Sequence, residues 1–247
     1  MSTIKISIHY LNDLIWHAAL KCDFVINNNV DLWRINISSN LSMLNDFLAL
    51  INPGELARAN RYYHIKDRNR FIISRGALRI ILGKYLNHHP VALEFETGIN
   101  KKPHIKNPNN SGIYYNISHA GDWILLGISN ANIGVDTEQI NYDYNYKDVL
   151  QDNFSREEIN YINQTLSFER FFTLWTRKEA LTKATGKGLD SDLKLMPCLE
   201  GTHFAQSDTI SSTHDWVINT FKLNEYNLGS IAINPGTGTT RFWDISF

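Results

Sequence analysis

Two stretches hold the residues best suited to chemistry: "GVDTE" (134–138) and "LWTRKEALTKATGKGL" (174–189). In an extended strand, side chains two apart share a face, so Asp136 and Glu138 project together and Thr137 projects opposite. Two parallel carboxylates repel each other unless a cation sits between them. Hard cations such as Mg²⁺ choose carboxylate oxygens. A solvated strand face would account for the pair equally. In the second stretch Trp175, Glu179 and Lys183 are spaced by four, and on a helix they drift only about 40° per step. An exposed i,i+4 ion pair there would contribute roughly 0.3–0.5 kcal/mol. The Trp on the same stripe argues against that, because Trp usually anchors a buried face. Glu179 and Lys183 are therefore expected where the buried face opens into a cleft, the carboxylate for a cation and the ammonium for a phosphate.

A third stretch, "NISHAGDW" (116–123), sets Asn116, Ser118 and His119 before a tight turn. Neighbours in a strand face opposite ways, which disfavours Ser118 and His119 as a nucleophile–base pair. Polar groups satisfied locally at a strand end are the plainer account. "KKPH" (101–104) adds two lysines fixed by a proline and is ambiguous alone.

These residues need elements to position them. "VDLWRINIS" (30–38) alternates as a half-buried strand would. "NPGELARANRYY" (52–63) reads as a helix start, with Asn52 as cap, Pro53 in the first turn and Glu55 three residues on. In "DRNRFIISRGALRIILGKYL" (67–86), Phe71, Leu78, Ile81, Leu82 and Tyr85 recur at helical spacing, with Arg75, Arg79 and Ile72 elsewhere around it. Residues 97–112 read as strand fragments and loops. Residues 113–129 read as two strands about a turn at Ala120-Gly121-Asp122, and 131–140 as another strand. "NYDYNYKDV" reads as a polar loop without a core role. "FSREEINYINQ" (154–164) carries a second capping pattern, Ser155 to Glu158. The strongest helix is 167–185, stopped by Gly186 and Gly188, and the last third reads as strands. No exact short repeat is visible. Strand, helices and further strands nevertheless occur twice, before and after about residue 131, which predicts an α+β (α/β) chain of two similar halves.

The chain has 247 residues, 43% hydrophobic and 12% aromatic, enough for a sizeable core. Its formal net charge is −1, so nothing global points to nucleic acid or a membrane surface. Cys22 and Cys198 lie far apart and read as reduced structural thiols, as in the cytoplasm. No apolar run reaches the length of a membrane span, and the first residues lack the pattern of a signal peptide.

The ordered series "KKPH", "NISHAGDW", "GVDTE", "FSREE" and "LWTRKEALTKATGKGL" resembles the 4'-phosphopantetheinyl transferases of the Sfp type, the larger pseudo-dimeric branch. "VDLWRI" and the arginine-rich "YYHIKDRNRFIISRGALR" look like the family's opening, so the resemblance covers about three quarters of the chain. The family's usual glycine is replaced by Lys101 and its usual serine by Ala120. A basic residue that some members carry near Glu55 is missing, which leaves the 3'-phosphate contacts less defined.

The resemblance implies transfer of the 4'-phosphopantetheine arm of coenzyme A to a serine of an apo acyl or peptidyl carrier protein, releasing 3',5'-ADP. It implies Mg²⁺, with Mn²⁺ as a substitute, held by Asp136, Glu138 and Glu179. Lys183 would contact the pyrophosphate. His119, Arg70 and Arg58 would sit near the 3'-phosphate, and Lys102 and Ser118 would position the nucleotide end. Trp175 would support the metal site from below. The serine's proton would go to Glu179, Glu158 or a metal-bound water. Residues 1–130 would form the nucleotide-side half and 131–247 the metal-side half. One chain would already supply both halves, so a monomer is expected, with no nucleic-acid or membrane partner. Two alternatives use the same residues: another Mg²⁺-dependent phosphate-transfer or phosphate-ester enzyme, and a non-catalytic coenzyme A or carrier-binding module. The second would be expected to lose a carboxylate, and all three are present. Nothing selects among fatty-acid, polyketide and peptide-synthetase carriers.

Overall fold

Both anticipated capping boxes are formed. Asn52 accepts from the Glu55 backbone N–H while the Glu55 carboxylate accepts from that of Asn52, and Ser155 and Glu158 repeat the exchange. The computed structural model describes residues 2–98, 102–106, 112–188 and 193–247; Lys101 lies outside them. In chain order the elements of the first half are β1 (Thr3–Leu11), β2 (His17–Ala18), β3 (Val30–Asn36), α1 (Leu44–Leu50), α2 (Pro53–Ala59), α3 (Ile65–Leu86), β4 (Phe95–Thr97), β5 (Pro103–Ile105), β6 (Tyr114–Ala120) and β7 (Trp123–Ser129). Then follow β8 (Ile133–Gln139), α4 (Lys147–Asn153), α5 (Arg156–Ile162), α6 (Ser167–Thr185), β9 (Gly201–Gln206), α7 (Ser207–Ile210), β10 (Trp216–Lys222), β11 (Asn227–Ile233) and β12 (Thr240–Ile245).

Two five-stranded mixed sheets form, ordered β2-β12-β3-β7-β6 and β8-β11-β10-β1-β9. Val30, Leu32, Leu125, Ile133, Val135, Ile231 and Phe242 fill the space between them. α3 covers the outer face of the first sheet through Ile72, Leu78, Ile81 and Leu82. α6 covers the outer face of the second through Ala180, Leu181 and Ala184. The layers therefore run helix, sheet, sheet, helix.

The halves repeat with a constant shift. β3 and β8 begin at 30 and 133, α1 and α4 at 44 and 147, and α2 and α5 at 53 and 156, each pair 103 residues apart. The antiparallel run β3-β7-β6 corresponds to β8-β11-β10. The ion pairs recur as well: Arg75 to Glu55 at 2.5 Å, and Lys178 to Glu158 at 2.9 Å. Sheet membership departs from a simple division at 130/131. β1 pairs with β10 and β9 in the second sheet, and β12 pairs with β3 in the first, so each terminus crosses to the other half.

Three local expectations change. β3 is not half-buried, because Val30 and Leu32 enter the core between the sheets while Trp33 and Ile35 enter the core under α3. α3 is buried around most of its circumference, Arg79 included, because Phe47, Leu93 and Phe95 pack on it away from the sheet. The tyrosine-rich loop does have a core role, since Tyr146 is buried and stacks on Phe171 at 5.0 Å.

Candidate active site

The site begins with Gly134. A Cβ there would stand within 2.8 Å of Ala184 Cα and closer still to the Ala180 carbonyl. Glycine therefore lets α6 lie directly on β8. That approach faces Asp136 and Glu138 of β8 toward Glu179 and Lys183 of α6. Lys183 Nζ pairs with Asp136 Oδ1 at 2.6 Å and donates to Ser118 Oγ at 3.1 Å. At its far end α6 stops at Gly186, which adopts φ +71° as the left-handed cap.

The third wall is β6, whose polar side chains cover the edge of β8. Asn116 Oδ1 accepts from the Val135 N–H at 2.8 Å, and Ser118 Oγ accepts from the Thr137 N–H at 3.4 Å. Two residues apart on one strand, they meet alternate amides of the other, which explains the spacing in "NIS". Ser118 also donates to Asp136 Oδ1 at 2.9 Å. It thereby links the two halves and has no bond to His119.

Ser118, Asp136, Thr137, Glu138, Glu179 and Lys183 line a cavity of about 410 Å³ with Arg58, Tyr62, Phe71, Ser74, Arg75, Pro103, Ile117 and His119. Its charges are unbalanced. Burial, and then the charge of Asp136, pushes Glu138 up to about 7; Lys183 and the bonded Trp175 indole oppose this. The same two causes push Glu179 up to about 7. Loss of water around the ring, followed by the Arg70 guanidinium, lowers His119. Asp136 Oδ2 is buried without a hydrogen-bond partner, which is costly for an anion unless a cation meets it. Among the described residues no three His, Cys, Asp or Glu side chains stand close enough to form a ready metal cage. The donor set itself, three acidic side chains with one oxygen unsatisfied, suits a hard divalent cation.

Asp136, Glu138, Glu179, Lys183, Ser118, His119 and Arg58 therefore come together. Arg70 stands beside His119, pairs with Asp67 at 2.7 Å and is not part of the lining. Two more of the expected residues stand outside the lining. Glu158 is not in the pocket. It is buried in the second half, capping Ser155, pairing with Lys178 and accepting from Cys198 N–H and Sγ. The Lys102 ammonium is not in the lining either, and bonds two backbone carbonyls instead. Tyr62, Phe71, Ser74 and Arg75 went unassigned as pocket residues. Helical periodicity marks Phe71 as core and Arg75 as lying elsewhere around α3, and it does not show which turns of a helix face a cleft; Tyr62 lies between α2 and α3, outside any such pattern. Both cysteines are free, as expected.

Fold and pocket together define a duplicated α/β protein with an acidic, lysine-bearing cleft at its internal join. Residues 132–229 match a family model described as "4'-phosphopantetheinyl transferase superfamily", and residues 37–131 one described as "4'-phosphopantetheinyl transferase, N-terminal". This chain belongs to the 4'-phosphopantetheinyl transferase superfamily, in its Sfp-type branch. The family-level function is phosphopantetheinyl transfer, acting on coenzyme A and a carrier protein. Among its relatives, 4'-phosphopantetheinyl transferase HetI of Nostoc sp. is 29% identical over 224 residues, 89% of this chain and 93% of HetI. The Sfp enzyme of Bacillus subtilis is 26% identical over 150 residues, 60% of this chain and 65% of Sfp. The gsp enzyme of Aneurinibacillus migulanus is 31% identical over 132 residues, 52% of this chain and 53% of gsp.

Proposed function

We propose that this chain moves the 4'-phosphopantetheine group of coenzyme A onto a serine of an apo acyl or peptidyl carrier protein, releasing 3',5'-ADP. The observation that carries this reading is the convergence of Asp136, Glu138, Glu179 and Lys183, with Asp136 Oδ2 buried and unpartnered. Asp136, Glu138 and Glu179 would hold Mg²⁺, or Mn²⁺ in its place. When bound, the cation supplies Lewis-acid stabilisation of charge on the pyrophosphate oxygens.

The remaining roles belong to the chain's own groups. Lys183, oriented by Ser118, holds a phosphate oxygen, and its attraction grows as charge moves toward the departing 3',5'-ADP. Arg58 and His119 stand on the opposite wall, with Arg70 near His119 but outside the lining, and the 3'-phosphate end of the nucleotide would lie there. Of the two side chains considered as the proton acceptor, Glu179 lines the pocket and Glu158 does not.

The test is incubation with coenzyme A, Mg²⁺ and a panel of apo fatty-acid, polyketide and peptide-synthetase carriers, read by intact mass. A gain of one phosphopantetheine on at least one carrier is expected. Cleavage of DNA or simple phosphate esters, with every carrier unmodified, would favour a different phosphate enzyme.

A further inference from the structure

Lys102 precedes β5, in the half that carries Arg58 and His119, yet its ammonium crosses the join. Nζ donates to the Ala184 carbonyl at 3.0 Å and to the Ile133 carbonyl at 3.2 Å. These carbonyls belong to α6 and β8, the two elements that bear the carboxylates and Lys183. Ala184 directly follows Lys183, and Ile133 opens the strand that carries Asp136. The Ala184 carbonyl is among the last four of α6, which have no partner within the helix. A cation at a helix C-terminus also meets the negative end of the helix dipole. The Lys102 stem runs beside the turn at Gly186, where a Cβ would only touch Lys102 Cδ, at 3.9 Å.

This placement is expensive. Burial among carbonyls lowers the Lys102 ammonium to about 8. Removing a cation from water costs free energy that hydrogen bonds offset only in part. The contact also falls where α6 lies directly on β8, since a Cβ at Gly134 would clash with Ala184. A small shift of that turn would carry Lys183 away from Asp136.

We propose that Lys102 is a positioning residue that straps the last turn of α6 to the start of β8, holding Lys183 and Glu179 against Asp136 and Glu138 without touching the nucleotide. The kinetic consequence rests on the transferase reading above; the strap itself does not.

Two readouts on Lys102→Met test it, each compared with the unsubstituted chain. The first is amide hydrogen exchange, which needs no activity. Protection should fall at residues 182–186 and 133–136 and stay unchanged in α3. The second is steady-state transfer with coenzyme A and with 3'-dephospho-coenzyme A. The turnover number should fall tenfold or more with both substrates, the Mg²⁺ concentration for half-maximal rate should rise, and the coenzyme A Michaelis constant should change little. Lys102→Arg keeps a cation and the fold, and should show a smaller loss in both readouts. Unchanged exchange at 182–186 in both variants would overturn the strap. A rise in the Michaelis constant for coenzyme A but not for its 3'-dephospho form, at constant turnover, would make Lys102 a phosphate ligand instead. If the unsubstituted chain transfers nothing, the function is wrong, while the exchange result still decides the strap.

Discussion

Asp136 has two carboxylate oxygens with different surroundings. Oδ1 is shared by Lys183 and Ser118, while Oδ2 is buried with no hydrogen-bond partner. Around it Glu138 and Glu179 are both raised to about 7. A carboxyl raised on folding binds more protons in the folded than in the unfolded chain between about pH 4.5 and 7. Stability from these two groups is therefore fully present below the unfolded value and is lost as pH rises through 7. Glu179→Gln should raise stability by about 1–2 kcal/mol at pH 7.5 and hardly at all at pH 4.5, measured by urea unfolding of the metal-free chain. A stability loss at pH 7.5 would mean the carboxylate is better solvated than the pocket implies. The same change should raise the Mg²⁺ concentration needed for transfer. Lys183→Ala should lower the turnover number as well as weaken coenzyme A binding; a change in the Michaelis constant alone would make Lys183 a uniform binding contact. At this scale the sequence was informative where spacing and charge agreed, as for Asp136, Glu138, Glu179 and Lys183. It was less informative where one residue type has two uses: Glu158 pairs with the buried Lys178, and the Lys102 ammonium bonds two backbone carbonyls.

Elements were legible where a local rule acts alone. The two capping boxes, the Ala120–Trp123 hairpin and the end of α6 at Gly186 each depend on a few adjacent residues. β3 and α3 were misjudged in burial because periodicity reports one partner, and each of them has two. The close approach of α6 to β8 was not visible, since the glycine of "GVDTE" gives no sign of what it makes room for. Gly134→Ala should push α6 off β8, cost about 3 kcal/mol and remove most transfer, checked by thermal melting and by the mass assay. A variant with normal stability and activity would show that α6 can relax without disturbing the site.

For the whole molecule, the shift of 103 residues shows how corresponding positions of the two halves differ. Asp136, Glu138, Glu179 and Lys183 correspond to Trp33, Ile35, Gly76 and Ile80. The related position in the first half is thus filled with core, and Phe47 presses against Gly76. The sequence suggested two halves but not the shift, because the equivalent positions share shape and not residue type. It also hid the exchanged termini, since strand partners distant in the chain leave no local signal. β12 is held in the first sheet by Asp31, buried and accepting from Arg241, Trp243 and Tyr85. Asp31→Ala leaves those donors unpaired and should cost about 3 kcal/mol, read by chemical unfolding. An effect near zero would mean that packing alone holds β12.

The central claim is that the acidic cleft at the join is the transfer site. The most direct measurement is the intact mass of an apo carrier after incubation with coenzyme A and Mg²⁺, comparing the unsubstituted chain with Asp136→Ala, with melting curves of both. The account predicts one phosphopantetheine added by the unsubstituted chain and none by the variant, which should melt at or above the same temperature. Transfer by Asp136→Ala at close to the unsubstituted rate would contradict it.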